Sequence, residues 1–305
     1  MTAVAARPFH ATPEVSVLIV LADSGPSVSD CVRRVLDSEA GDALELIVLD
    51  NNSSDGVPQQ IERAWQHDPR LRVIYNRANL GFGPAMNRGA AQARGRELLI
   101  LNPDCLLDAD TLPRLRAVLQ SSPRHGLVGG VVCDAQGQPD PASYRRDPLL
   151  RRAINSMSGR ALNDDGRDAR REGVTMPAPM PYETVPAEAV SGALMLMPRE
   201  LFQRIGGFDE QYFLHCEDLD LCRRVRDAGY PVLLAGAVRV LHGKGGSSRH
   251  RPVFVSYHKH RGMWRWFRKF DPAARQPLTA ALVWSGLWLH FALAVPRQWL
   301  RRPRR

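Results

Sequence analysis

Four short, mainly apolar runs, each closed by Asp or Asn, set the strongest limit on how this chain can fold. Val15–Leu21 is apolar except for Ser16, and runs at residues 44–49, Leu71–Tyr75 and 98–101 follow it at helix-length intervals. A run that is apolar at nearly every position suits a strand covered on both faces. Between the runs, apolar residues recur at helical spacing. Cys31, Val32, Val35 and Leu36 do so behind the cap candidates Ser27 and Ser29. Residues 84–93 read as a small-residue helix, Asp108 as the cap of a helix through residue 119, and residues 126–132 as a further strand. Strands alternating with helices of about ten residues predict an α/β fold with a Rossmann-like, mostly parallel central sheet flanked by helices. Such sheets bind ligands beyond the carboxyl ends of their strands. The polar residues collect there: Asp23, Asp50, Asn51, Asn76, Asn79, Asn102 and Asp104.

The chain of 305 residues is long enough for one body of up to roughly 250 residues plus an appendage. Its net charge of +9 is unevenly placed. Residues 239–305 hold 15 Lys and Arg against one acid, Asp271, and carry +14, whereas the other 238 residues carry −5. This excludes a uniformly basic nucleic-acid binder and suggests a mildly acidic enzyme body with a basic tail. The five cysteines, at 31, 105, 133, 216 and 222, are odd in number and form no Cys-x-x-Cys pair. Neither a zinc site nor a disulfide framework is signalled, and a reducing compartment is expected. Residues 1–14 lack the apolar core of a secretory signal and read as a flexible N-terminus.

Residues 15–135 therefore form the expected ligand-binding half of the sheet. Residues 136–188, rich in Pro, Arg, Asp and Gly and weakly periodic, read as a mobile insertion. Order resumes in 189–250 with a strand at 190–197 and helices at 199–205 and 217–228. Two short strands, at 232–234 and 238–241, lead to His242.

Three motifs can carry chemistry. In Asn102-Pro103-Asp104, Pro103 fixes a turn directly after a buried strand, so Asp104 projects past the sheet edge. A carboxylate there suits a hard divalent cation, with Asn102 able to help; the plain alternative is a turn and helix cap. Glu217, Asp218 and Asp220 open a helix, where the helix dipole alone favours acids. Their apolar neighbours Phe213 and Leu214 also make them candidate general bases. His242 precedes a Gly/Lys/Ser loop, residues 243–248, that could cradle a phosphate but is not a Walker A sequence.

Taken in order, these pieces resemble the family-2 glycosyltransferases of GT-A fold, and most closely their bacterial rhamnosyltransferase-like branch, which builds cell-surface polysaccharide. The likeness runs through Asp50-Asn51-Asn52-Ser53-Ser54-Asp55-Gly56, Asn79-Leu80-Gly81-Phe82-Gly83, Asn87-Arg88-Gly89 and Leu101-Asn102-Pro103-Asp104. It continues through Gly206-Gly207-Phe208-Asp209-Glu210, Glu217-Asp218-Leu219-Asp220, Gly229-Tyr230 and His242, and covers roughly residues 15–248.

The resemblance implies an inverting glycosyltransferase. Its donor is a nucleoside-diphosphate sugar, with rhamnose the expected sugar, and its acceptor a hydroxyl of a lipid-linked or polysaccharide glycan. Asp50 would bond the nucleobase. Asn79, Gly81 and Asn87 would shape the donor pocket, with Asp23 and Asn51 beside them. Asn102 and Asp104 stand where the family has its Asp-x-Asp motif; Asp104 would bind Mg²⁺ or Mn²⁺ across the diphosphate, and His242 would contact metal or diphosphate. Asp218 would be the general base, with Glu217 positioning acceptor or sugar. One departure stands out: the family commonly ends its first strand with Thr-Tyr-Asn, where this chain has Leu21-Ala22-Asp23 and so no aromatic partner for the base.

The tail, residues 251–305, reads as a basic amphipathic, membrane-associating helical segment. Aromatics and bases interleave over residues 258–269, and 21 residues without formal charge (His290 aside) separate Arg275 from Arg297. These could span a bilayer, but Trp284, Ser285, Trp288 and His290 near their middle favour an in-plane helix. The expected place is the cytoplasmic face of the inner membrane, with no nucleic-acid partner. Two other functions fit the sequence less well. A nucleotidyltransferase would need a basic, Gly-rich triphosphate loop after the first strand, and residues 22–26 contain no base. A membrane-associated nucleotide-sugar-binding protein without activity would have no need of Asp104, Glu217, Asp218 and His242 together.

Overall fold

The structure, a computed structural model, describes residues 12–158, 172–176, 178–243 and 251–300. In chain order the first half runs β1 (Val15–Leu21), α1 (Val28–Leu36), β2 (Leu44–Asp50), α2 (Val57–Ala64), β3 (Leu71–Tyr75), α3 (Phe82–Gln92), β4 (Glu97–Leu101), β5 (Cys105–Leu106), α4 (Thr111–Gln120) and β6 (Leu127–Cys133). The second half adds α5 (Leu150–Met157), β7 (Thr184–Ala187), β8 (Leu194–Pro198), α6 (Arg199–Arg204), α7 (Glu217–Asp227), β9 (Val232–His242), α8 (Pro252–Phe270) and α9 (Pro277–Leu300).

The strands make one sheet in the order β3-β2-β1-β4-β8-β6-β9-β5, with β7 also paired to β9. Strands β1 to β4, β6 and β9 share one direction; β8 runs against both β4 and β6. The mixed α/β sheet expected from the strand runs is present. Its core lies on both faces, as successive side chains of a strand point to opposite sides. Along β1, Val15, Val17, Ile19 and Leu21 enter one apolar cluster with α1, α2 and α4. Leu18 and Val20 enter the other, with α3, α6, α7 and Trp266 of α8.

Two expectations need correction. The two short strands before His242 are one strand, β9, whose pairing with β6 slips between Gly130 and Val131; the slip bends the strand and hides its continuity. The stretch at 136–188 is, where described, built into the body. β7 pairs with β9, and Asp147, 3% exposed, accepts hydrogen bonds from Arg223 (3.1 Å) and Arg226 (2.5 Å) of α7. Residues 258–269, whose interleaved bases and aromatics suit a membrane interface, lie in α8, which also packs on the body. Trp266 and Phe267 of α8 are buried, and Arg265 and Lys269 reach Asp209 at 2.6 and 2.8 Å. Residues 1–11, the loop from 244 to 250 with most of the candidate phosphate cradle, and 301–305 lie outside the described residues.

The final helix behaves differently. The stretch Pro277–Pro296 has a mean hydropathy of 1.7 and is only 6% buried. Leu278, Leu282, Leu289 and Leu293 recur on one helical face and are all exposed. The opposite face rests on α8, where His260 and His290 meet at 2.9 Å between Nε2 and Nδ1.

Candidate active site

The carboxyl ends of β1 to β4 carry the predicted donor-side residues. Asp23 sits in the left-handed region, φ 52°, and its Oδ1 accepts from the Ser54 backbone N–H (2.6 Å) and hydroxyl (3.0 Å). This pins the loop after β1 to the loop after β2, and the Ser54 backbone N–H holds the Asp23 carboxyl below its usual range. Asp50 is buried at the end of β2 and accepts from Ser53 N–H at 2.9 Å. Asn51, also buried, donates to Gly81 O (2.9 Å) and Asn79 Oδ1 (3.4 Å), and accepts from Asn76 at 2.7 Å. Asn79 accepts in turn from Gly81 N–H, 3.0 Å.

Gly81 has φ 90°, and a Cβ placed on it would lie 2.6 Å from Phe213 O. Only glycine fits this approach. The Asp50, Asn51, Asn76, Asn79 and Gly81 group is therefore one connected wall, and Phe82 N–H ties it to Phe213 O at 3.0 Å. Asn87 stands apart from that wall. Its amide clasps Phe208 O and N–H (2.9 and 2.8 Å) and Glu210 (3.0 Å), joining α3 to the turn after α6.

On the metal side, β5 and β9 pair Cys105 with His242, which delivers His242 to Asp104. His242 Nε2 lies 2.9 Å from Asp104 Oδ1 and 3.3 Å from Asn102 Nδ2. One hard carboxylate oxygen and one imidazole nitrogen, each on a side chain less than a fifth exposed, fit Mg²⁺ or Mn²⁺ provided phosphate oxygens and water complete its coordination. Among the described residues no group of three or more His, Cys, Asp and Glu could hold such an ion alone.

The acidic opening of α7 reaches the same edge. Asn102 N–H donates to Ala193 O at 3.0 Å, and the neighbouring Gly192 N–H donates to Asp218 Oδ2 at 3.2 Å. The segment that carries Asp104 and the Asp218 side chain thus contact adjacent residues, Ala193 and Gly192, just before β8. Before α7, His215 and Cys216 both adopt left-handed φ, 69° and 70°, an uncommon conformation for residues with a Cβ. Gly262 of α8 allows that turn to be backed closely: a Cβ there would lie 2.8 Å from His215 O.

The two adjacent acids are held differently. Glu217 is buried, its Oε2 has no partner among the described residues, and burial with the neighbouring Asp218 charge pushes its proton affinity up to about 8. For Asp218, burial works against ionisation, but Arg145 at 2.5 Å and the N–H groups of Leu219 (2.8 Å) and Gly192 outweigh it and lower its proton affinity. At neutral pH the pair is one neutral acid beside one carboxylate, and splitting two carboxyls in this way separates a proton holder from a proton acceptor. Sequence reasoning missed Arg145, which lies in the weakly periodic stretch, and Gly192. It also missed the backing of the turn by α8. A shallow open depression lined by Ala64, Trp65 and Arg70 lies before β3, at the other end of the strands, and contains none of these groups.

Residues 16–205 match the family model described as glycosyl transferase family 2. The chain is 29% identical over 245 residues to an N-acetylglucosaminyl-diphospho-decaprenol L-rhamnosyltransferase of Mycobacterium tuberculosis, covering 73% of this chain and 77% of that protein. It is 25% identical over 235 residues to rhamnosyltransferase WbbL of Escherichia coli K12, covering 74% and 83%. Among solved structures, the mannosyltransferase PcManGT of Pyrobaculum calidifontis, in complex with GDP-Man and Mn²⁺, shares the fold. Its TM-score is 0.60 at 20% identity, over 95% of this chain and 74% of that one.

Proposed function

This chain belongs to glycosyl transferase family 2, and from that premise we propose that it moves rhamnose from a nucleoside-diphosphate donor to a hydroxyl of a lipid-linked or polysaccharide acceptor in cell-surface glycan synthesis, with inversion. The observation that carries this reading is the convergence at one sheet edge of the Asp104–His242 pair and the Glu217–Asp218 pair, the latter with opposed proton affinities. The rhamnosyltransferases named above support the choice of sugar and of glycan.

Asp104 and His242 would hold Mg²⁺ or Mn²⁺, whose charge offsets that of the departing diphosphate. The wall formed by Asp50, Asn51, Asn79 and Gly81 binds the nucleoside part. Asp23 closes the loop above it, at the end of the first strand where the family commonly carries an aromatic residue and this chain has Ala22. Asp218 takes the acceptor proton, and Glu217, protonated, donates a hydrogen bond to acceptor or sugar. One base acting in one displacement gives inversion, and positioning supplies much of the acceleration. The bare apolar face of α9 supports membrane association, with the site facing a lipid-linked acceptor at the cytoplasmic surface.

The test is release of nucleoside diphosphate from a panel of nucleotide sugars, with Mn²⁺, Mg²⁺ or a chelator present. Release from a deoxythymidine-diphosphate-rhamnose donor that stops with the chelator and in Asp104→Ala is expected. No release from any donor by the intact chain, with membrane acceptor supplied, refutes the proposal.

A further inference from the structure

Arg145 lies ahead of α5 and is gripped by its backbone. It forms antiparallel bridges with Thr175 and Ala189, exchanging hydrogen bonds of 2.9 and 3.0 Å with Ala189. Its side chain is 17% exposed, and one nitrogen, Nη2, donates both to Val190 O (2.9 Å) and to Asp218 Oδ2 (2.5 Å). Asp218 Oδ2 also accepts from Gly192 N–H, whereas among the described residues Oδ1 accepts only from Leu219 N–H and keeps a lone pair for another donor. Arg145 Nε has no acceptor among the described residues.

We propose that Arg145 is a positioning residue for the transfer reaction, holding the Asp218 carboxylate by one oxygen so that Oδ1 is the atom that receives the acceptor's proton. This rests on the reading of Asp218 as the base. In the step itself, the acceptor oxygen bonds to the anomeric carbon as its proton passes to Oδ1. The bond from that carbon to the phosphate oxygen breaks, and its electron pair leaves with the nucleoside diphosphate.

The surroundings of Asp218 explain why a fixed cation is needed. Glu217 and Cys222 face it from α7, and His215 and Cys216 from the preceding turn. The two thiols and Glu217 are acids whose ionisation would oppose that of Asp218, and burial drives His215 toward its neutral form. Burial of Asp218 acts in the same direction as the acids. Lys259 of α8 also acts on His215 and Cys216, but Arg145 is the cation in hydrogen-bond contact with the Asp218 carboxylate, so its loss leaves burial opposed mainly by the backbone N–H groups and favours a protonated, inactive Asp218.

The test is the pH dependence of kcat for the full chain in detergent, comparing wild type, Arg145→Gln, Arg145→Lys and Asp218→Asn. Arg145→Gln should move the acid limb of the profile upward by about one to three pH units, with donor KM changed less than about threefold. Arg145→Lys, which keeps the charge on a shorter stem, should give an intermediate limb. Asp218→Asn should lose about 10²–10⁴-fold in turnover. An unshifted limb in Arg145→Gln beside an inactive Asp218→Asn overturns the role of Arg145 while leaving the base in place; an active Asp218→Asn removes the base itself. If Arg145→Gln shows no cooperative melt, an unshifted limb in Arg145→Lys overturns the proposal.

Discussion

Replacing Glu217 with Gln should make the protein more stable in alkali, because the native side chain is kept protonated against the tendency of the unfolded chain. A glutamate in the unfolded chain titrates near 4.5, and Glu217 in the folded protein at about 8. Between those values the native state holds a proton that the unfolded state has lost, so stability falls as pH rises, by about 1.4 kcal/mol per unit. Over the whole window this amounts to about 5 kcal/mol; above pH 8 both states are ionised and the slope ends. Gln has the same shape and no charge, so its melting curve lacks that slope. The variant should match wild type near pH 4.5–5 and exceed it by roughly 3–5 kcal/mol at pH 8.5, about 5–8 °C in Tm for a chain of 305 residues. Thermal melts of both proteins across that range, in one detergent, measure the difference directly, since every other titrating group is common to the two. Turnover gives a second reading: an alkaline limb near 8 in wild type should vanish in Glu217→Gln. Melting curves that stay parallel from pH 5 to 8.5 would show that Glu217 is ionised throughout, and the division of labour between Glu217 and Asp218 would fail with it.

Two further outcomes follow from how the last two helices attach. In Gly262→Ala the new methyl group meets His215 O at 2.8 Å and Cys216 Sγ at 3.3 Å, so α8 must retreat from the strained turn before Glu217; overpacking of this kind costs about 1–3 kcal/mol. Turnover should fall tenfold or more while donor-induced thermal stabilisation persists, and unchanged kcat would show that α8 does not support the turn. Deleting residues 277–305 should leave donor binding by thermal shift intact but abolish sedimentation with membranes; continued sedimentation would remove α9 as the anchor.

The parts of this molecule that were legible in its sequence are those whose signal is local. β1, β2 and β4 are apolar at nearly every position because both their faces are covered, and the Asp and Asn residues closing them had to lie at one edge of the sheet. The pairing of Asp104 with His242 was not local. It depends on β5, two residues long, meeting the end of a bent β9. Nor was the role of the Asn87 amide local, since it clasps Phe208 and Glu210, more than 120 residues away.

The docking of α8 on the body was not legible, for a physical reason. Arg and Lys interleaved with Trp and Phe describe a membrane-surface helix and a helix docked on an acidic body equally well. Only the location of Asp209 and Asp220, which meet Arg265 and Lys269, decides between them. Arg145 follows the same logic. Its segment has no helical or strand period because its conformation comes from Thr175, Ala189 and Asp218, between 30 and 73 residues away. The left-handed pair His215–Cys216 persists because α7, α8 and the Phe213 loop surround it, not because its sequence prefers that shape. The groups with the most consequence for chemistry therefore sit where local preference is weakest. There, tertiary contacts can hold a carboxylate away from water and beside a guanidinium, an arrangement that no isolated segment would adopt.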